Sequence, residues 1–199
     1  MKSEKLIKKI KTNKGMSYVE LIVVLSIFSV MTSVVLFNHG EFQAKIDIKN
    51  LASEVALKVV EAQKSSLSGK LSAKVPTISP WKPSYGIYLN IISDNKSFLY
   101  FTDLNNNSLF DDSDCTGECI SKFSITKGNS ISQLAIFGTG CPVTANNLTI
   151  VFKRPDSSAL ISSNPPLVCI ISYVQITVVS PKIPNAKIKI YPSGRIEVN

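Results

Sequence analysis

Two hydrophobic patterns follow one another in the first third of the chain. From Met16 to Gly40 the residues are apolar apart from scattered hydroxyl and amide side chains and His39, no lysine or arginine occurs, and the only carboxylate is Glu20. About 20 apolar residues span a bilayer as a helix, so this run is long enough. From Glu41 to Ser68 the pattern changes. Apolar residues recur at Ala44, Ile48, Leu51, Val55, Val59 and Ala62, in steps of three or four, and lysine, glutamate and aspartate fill positions between them. That is the stripe of an amphipathic helix packed on a globular domain. Neither proline nor glycine interrupts it, and Gly69 is its expected C-terminal stop. One continuous helix from about Met16 to Ser68 follows, the first half a membrane anchor and the second the spine of a domain.

Beyond the helix the period shortens. The prolines at 76, 80 and 83 exclude helix and central strand around Trp81, which is read as a packing lid over the helix. Residues 84–92 and 96–103 then read as a hairpin turned at Ser93-Asp94-Asn95. Further strand-like runs are 123–127, 132–138, 147–153, 166–173, 174–180, 186–191 and 194–198. The expected fold class is α+β, a long N-terminal helix on an antiparallel β-sheet domain. The expected organisation is a leader over 1–15, a transmembrane helix over 16–40, its amphipathic continuation over 41–68 and a β-rich extracytoplasmic domain over 69–199.

Charge sharpens the N-terminal end. The 199-residue chain carries a formal net charge of +8, but residues 1–15 hold six lysines against Glu4 and so account for +5 of it. The high pI therefore describes a leader more than the folded part. A basic flank on one side of an apolar segment marks the cytoplasmic side. An ordinary secretory signal has its apolar region before a small-residue cleavage site. Here the charges run up to Gly15 and the apolar run lies after it. Glu20 is then the puzzle, because a carboxylate inside a membrane segment is costly and is usually there for a function.

Gly15-Met16-Ser17-Tyr18-Val19-Glu20-Leu21-Ile22 resembles the processing site of type IV prepilins and pseudopilins. The family pattern is a short basic leader, a glycine before the cut, an apolar residue after it and a glutamate five residues into the mature chain. The resemblance implies that a prepilin peptidase cuts between Gly15 and Met16, and that Met16 becomes an N-methylated terminus. It also implies that Glu20 is an assembly residue. A neighbouring subunit's terminal amine would neutralise it and set axial register as subunits leave the membrane through an inner-membrane assembly platform. Tyr85-Gly86-Ile87, the stretch Tyr100 to Asn107 and Gly194-Arg195 are similar to H-type pseudopilins and FimT-like minor pilins. The implied function is a structural subunit of a type IV pilus or a type II secretion pseudopilus, in contact with other pilin or pseudopilin subunits.

The alternative implied by the FimT-like likeness is DNA capture in a competence pilus. Lys182, Lys187, Lys189 and Arg195 lie near the C-terminal end, and Lys187 and Lys189 alternate with isoleucines, so both face one side of a strand. Lysine and arginine meeting phosphates supply most DNA affinity. Glu197, however, stands where the DNA-binding version of the motif has a second arginine.

The segment from Asp103 to Asp114 allows two readings. Against a twelve-residue calcium pattern, Asp103, Asn105 and Asn107 fill positions one, three and five, Leu109 offers a backbone carbonyl, and Asp111 and Asp114 fill nine and twelve. Ser108 stands where the pattern has glycine, and Asp114 is shorter than the usual glutamate. The other reading is an Asn/Asp-rich turn whose side chains cap their own backbone. The four cysteines, Cys115, Cys119, Cys141 and Cys169, follow the membrane segment, where an oxidising compartment favours disulfides. Cys115 with Cys119 would close a small loop, and Cys141 with Cys169 would tie two β regions. Zinc is the rival, without paired short spacings or a nearby histidine. No catalytic constellation is visible. The sole histidine, His39, sits at the membrane edge, and neither a phosphate loop nor a dinucleotide fingerprint occurs.

Overall fold

The computed structural model describes residues 15–72, 82–112, 115–164, 166–181 and 185–199, with the side chain of Asn38 excepted. The leader up to Asn13 and Lys14, residues 73–81 of the proline-rich link with Trp81, Asp114 and Lys182 lie outside the described residues. The chain divides into two compact units after Gly40.

The first unit holds the beginning of helix α1, Tyr18–Ser68. Every side chain from Tyr18 to Phe37 is exposed. The most apolar 18-residue window of α1 has a mean hydropathy of 2.4 and none of it is buried, so this helix is long and apolar enough to cross a membrane. Two of its hydroxyls bond within the helix: Ser26 donates to the Val23 carbonyl and Thr32 to that of Phe28, both at 2.8 Å. In hydrocarbon, where water cannot serve these groups, such back-bonding removes their cost.

The second unit combines the rest of α1 with ten strands, among the described residues, in two antiparallel sheets. One sheet has the order β3-β2-β1-β6-β7, the other β10-β9-β8-β4-β5. The strands are β1 Ser84–Asn90, β2 Asp94–Asp103, β3 Cys119–Ser124, β4 Ser130–Thr139, β5 Thr144–Ala145, β6 Asn147–Phe152, β7 Ala159–Ser162, β8 Ile170–Val179, β9 Asn185–Ile190 and β10 Ile196–Val198. The α+β layout is as expected, with two sheets where one was read. The runs 166–173 and 174–180 are not two strands; Ile170 to Val179 form one, because no turn residue separates Tyr173 from Val174. β3 starts at Cys119, four residues before the run at 123–127.

The six stripe residues of α1 are all buried, Val55, Val59 and Ala62 completely. From Ile48 onward they join one core with Ile87 and Leu89 of β1, Ile150 of β6, Ile176 of β8 and Ile188 of β9. The end of α1 is pinned by polar contacts as well. The buried Ser66 hydroxyl donates to the Phe152 carbonyl and accepts the Tyr85 amide at 2.8 Å. Tyr100 donates to the Ser65 hydroxyl at 3.0 Å. Gln63 donates to the Ser157 carbonyl at 2.9 Å and the Gly194 carbonyl at 3.3 Å. The helix stops where the chain reverses at Gly69, φ 60°. The Gly69 amide bonds the Ser66 carbonyl and the Lys70 amide bonds that of Ser65, each at 3.0 Å, which is the Schellman closure of a helix end.

Candidate functional site

Gly15, Met16 and Ser17 precede α1 as exposed, non-helical backbone. Glu20 lies in the first turn, where a carboxylate interacts favourably with the helix N-terminus. Ser17 and Glu20 also have the spacing of a capping box, a local role for Glu20 that the sequence reading did not consider. The contact at this end is the Leu21 amide on the Ser17 carbonyl, 3.1 Å. Among the described residues Glu20 makes no ion pair. The peptide bond between Gly15 and Met16 is thus adjacent to an exposed apolar helix that carries one carboxylate near its start.

The segment after β2 folds over the face of its sheet that points away from the main core. Side chains alternate along β1, so Gly86 faces the side opposite Tyr85 and Ile87. Its ladder partners Phe101 and Val151 are fully buried there. Phe110 covers that face. Its ring packs edge-on to Phe101 at 5.1 Å and stacks on Tyr88 at 4.7 Å. The sequence reading passed over Phe110, although an aromatic residue inside an Asn/Asp-rich loop is the signal that the loop has a packed underside.

Within that loop Asp103 is completely buried, and its carboxylate accepts the Asn107 amide at 3.2 Å and the Ser108 amide at 2.9 Å. Asn105 accepts the Asn107 amide at 3.1 Å, and Asn107 accepts the Leu109 amide at 2.8 Å. The side-chain amides of Asn105 and Asn107 both donate to one oxygen of Asp111. Ser108 adopts φ 63°, the left-handed conformation for which the calcium pattern uses glycine. Positions one, three, five and nine are therefore gathered into one turn, and Asp114 at position twelve lies outside the described residues. The structure adds a carboxylate the pattern did not include. Buried Glu118 accepts the Leu104 amide at 3.0 Å and the Asp111 amide at 3.3 Å. Burial pushes its carboxyl up from the usual range, and the nearby charges of Asp103 and Asp111 push it the same way. Among the described residues no group of three or more histidine, cysteine, aspartate or glutamate side chains is arranged to hold a metal ion.

Cys115 is bonded to Cys119, beside this loop, and Cys141 to Cys169, which ties the end of β4 to the start of β8.

Lys187 and Lys189 lie on the outer face of the second sheet. In β9, Ala186, Ile188 and Ile190 point into the core, and Lys187 and Lys189 point out. The Lys189 ammonium sits 5.3 Å from the Tyr173 ring centre, and the Arg195 guanidinium 4.1 Å from that of Tyr191. Gly194, φ 83°, makes the turn that returns the chain from β9 to β10, with its amide on the Tyr191 carbonyl at 2.8 Å. Glu197 faces Lys189 across the ladder, pairs with Arg195 at 3.0 Å and accepts the Tyr191 hydroxyl at 2.9 Å. The cations are thus on one face, but Arg195 already has a carboxylate partner.

Comparisons with protein-family models, with curated proteins and with solved structures found no match.

Proposed function

We propose that this chain is a minor pilin or pseudopilin, made with a leader that is cut between Gly15 and Met16 and assembled as a structural subunit of a fibre. The observation that carries the reading is Glu20. It is a carboxylate near the start of an exposed apolar helix, directly behind a glycine and a basic leader, and it has no ion-pair partner among the described residues. Sequestering an unpaired carboxylate from water costs several kcal/mol, so assembly in an apolar setting calls for a cation from outside the chain. The α-amine of a neighbouring Met16 has the required charge.

Two measurements on the full chain test this. Mass spectrometry of protein recovered from membranes is expected to show loss of residues 1–15 and one added methyl group on Met16. Glu20→Ala is expected to insert normally and to be lost from the fibre fraction. Incorporation equal to that of the unsubstituted chain would overturn the assembly role.

A second reading, DNA capture, draws on the outward cluster of Lys187, Lys189 and Arg195 with two tyrosine rings. Against it stands Glu197, which holds Arg195 and repels phosphate. Binding to duplex DNA that weakens with salt, and further in Arg195→Ala, supports it. No binding at low salt ends it.

Calcium in the 103–114 loop is a separate proposal, supported by the crowding of Asp103, Asp111 and Glu118, which a cation would relieve; the Asn105 and Asn107 amide groups that donate to Asp111 would have to turn their oxygens to the ion. Calorimetry at millimolar calcium is expected to show binding heat that Asp111→Ala removes; absence of heat with the unsubstituted chain rejects it.

A further inference from the structure

The second unit has an apolar groove of about 770 Å³ that none of the readings above uses. Its floor is Ile48 and Ala186, and its walls are Phe42, Ile46 and Val198. Phe42 is 62% exposed and Val198 42%, so the apolar surface is open to a ligand. Lys45 and Lys49, one helical turn apart, stand on its rim, both exposed. Among the described residues neither lysine makes an ion pair. The nearby carboxylate of Asp47 does not offset them, because Lys127 pairs with it at 2.7 Å and Gln43 donates to it at 3.1 Å. Glu41 is the remaining acidic residue in this part of α1, and it does not line the groove.

The place of these residues along the chain matters. Phe42 follows the last residue of the apolar run, Gly40, by two positions, and Lys49 by nine. At about 1.5 Å per helical residue, both lie within about 15 Å of the run's end along the helix. If 16–40 spans a bilayer, that is the depth of the headgroups and the water just beyond them. An apolar trough rimmed by two unpaired ammonium groups matches a molecule with an anionic head and a hydrocarbon tail.

We infer that this groove binds an anionic phospholipid of the outer face of the membrane, with the phosphate between Lys45 and Lys49 and the start of an acyl chain against Phe42, Ile46 and Val198. The inference rests on the single-pass reading of residues 16–40. It adds a lipid contact that the subunit must give up when it leaves the membrane, so occupancy of the groove opposes extraction.

The test uses the full chain in nanodiscs, with photoreactive phosphatidylglycerol or photoreactive phosphatidylcholine at equal mole fraction. Cross-linked peptides are then mapped by mass spectrometry. The expected result is phosphatidylglycerol attached within residues 42–53 and 185–199, in excess over phosphatidylcholine. Lys45→Gln and Lys49→Gln should each lower that excess by about fivefold. Ile46→Ser should lower the yield with both lipids. Equal yields from the two lipids, cross-links confined to residues 16–40, or links between two copies of the chain at the groove would each overturn the proposal. Extraction of the same sample with alkaline carbonate separates the two levels. A chain released by carbonate breaks the single-pass reading, and a chain that stays inserted without groove cross-links breaks only this inference.

Discussion

Between Tyr18 and Phe37 all side chains of α1 are exposed, whereas between Ala44 and Ala62 eight are buried against strands of the second unit. Both stretches are helical and both are rich in aliphatic side chains, Val, Leu and Ile in the first and these with Ala in the second. They differ in where the polar residues fall. The later stretch places Lys, Glu and Asp opposite the stripe and has a core of its own chain to pack against. The earlier one is apolar on all sides and so has no face that prefers protein to hydrocarbon. Uniform apolarity calls for an apolar solvent, and a stripe calls for a packed surface.

That contrast can be broken most strongly at Ile48 and Val30. Ile48→Ala removes a side chain that is 1% exposed in the core, and a loss of about 3 kcal/mol in urea unfolding is expected. Val30→Ala is expected to leave the same transition within about 0.5 kcal/mol. Val30→Asp should instead reduce membrane insertion, at about 3 kcal/mol near a span's centre. A destabilisation by Val30→Ala equal to that of Ile48→Ala would show that the first stretch is core after all. Ser66→Ala comes next. It leaves the Tyr85 amide and the Phe152 carbonyl without their shared hydroxyl in a buried place, and about 2 kcal/mol is expected by the same unfolding measurement.

Gly69→Ala should cost about 1 kcal/mol, from the left-handed backbone alone. An added Cβ would also meet the ends of Lys82 and Arg154, flexible side chains that can move aside. A further effect is read by pH. Burial pushes the Tyr100 hydroxyl up to about 12; its bond to Ser65 works the other way, and Glu61 and Tyr85 add to the rise. An unfolded tyrosine ionises near 10, so the unfolded chain releases this proton first as pH increases. Stability is therefore full below about pH 10, falls between about 10 and 12 and levels off above. Absorbance titration with Tyr100→Phe as the reference measures this, and a Tyr100 that ionises near 10 would mean that the end of α1 is solvated.

The helix and its stop were legible in the sequence because both signals are local: steps of three or four, then a glycine. The same holds for the alternation in β9 that sends Lys187 and Lys189 outward. The missing parts depend on partners distant in the chain. β7 has four residues and is a strand only because β6 offers an edge to it; β5 has two, paired to β4. Glu118 and Phe110 carry no periodic mark; Phe110 has its role from the sheet face it covers and Glu118 from the loop amides it accepts. At the candidate processing site the order was reversed. The pattern from Gly15 to Glu20 can be read only in the sequence, and the structure adds its exposure and the spacing to Ser17.

One feature has a mechanical side. Cys141 and Cys169 close a loop with a sequence separation of 28. A stretched residue contributes roughly 3.4 Å, so the bond withholds roughly 90 Å of extension from a chain under tension. In a pulling experiment the second unit should unravel to a contour shorter by that length than after reduction. The staple thus limits how far the second unit can lengthen under load.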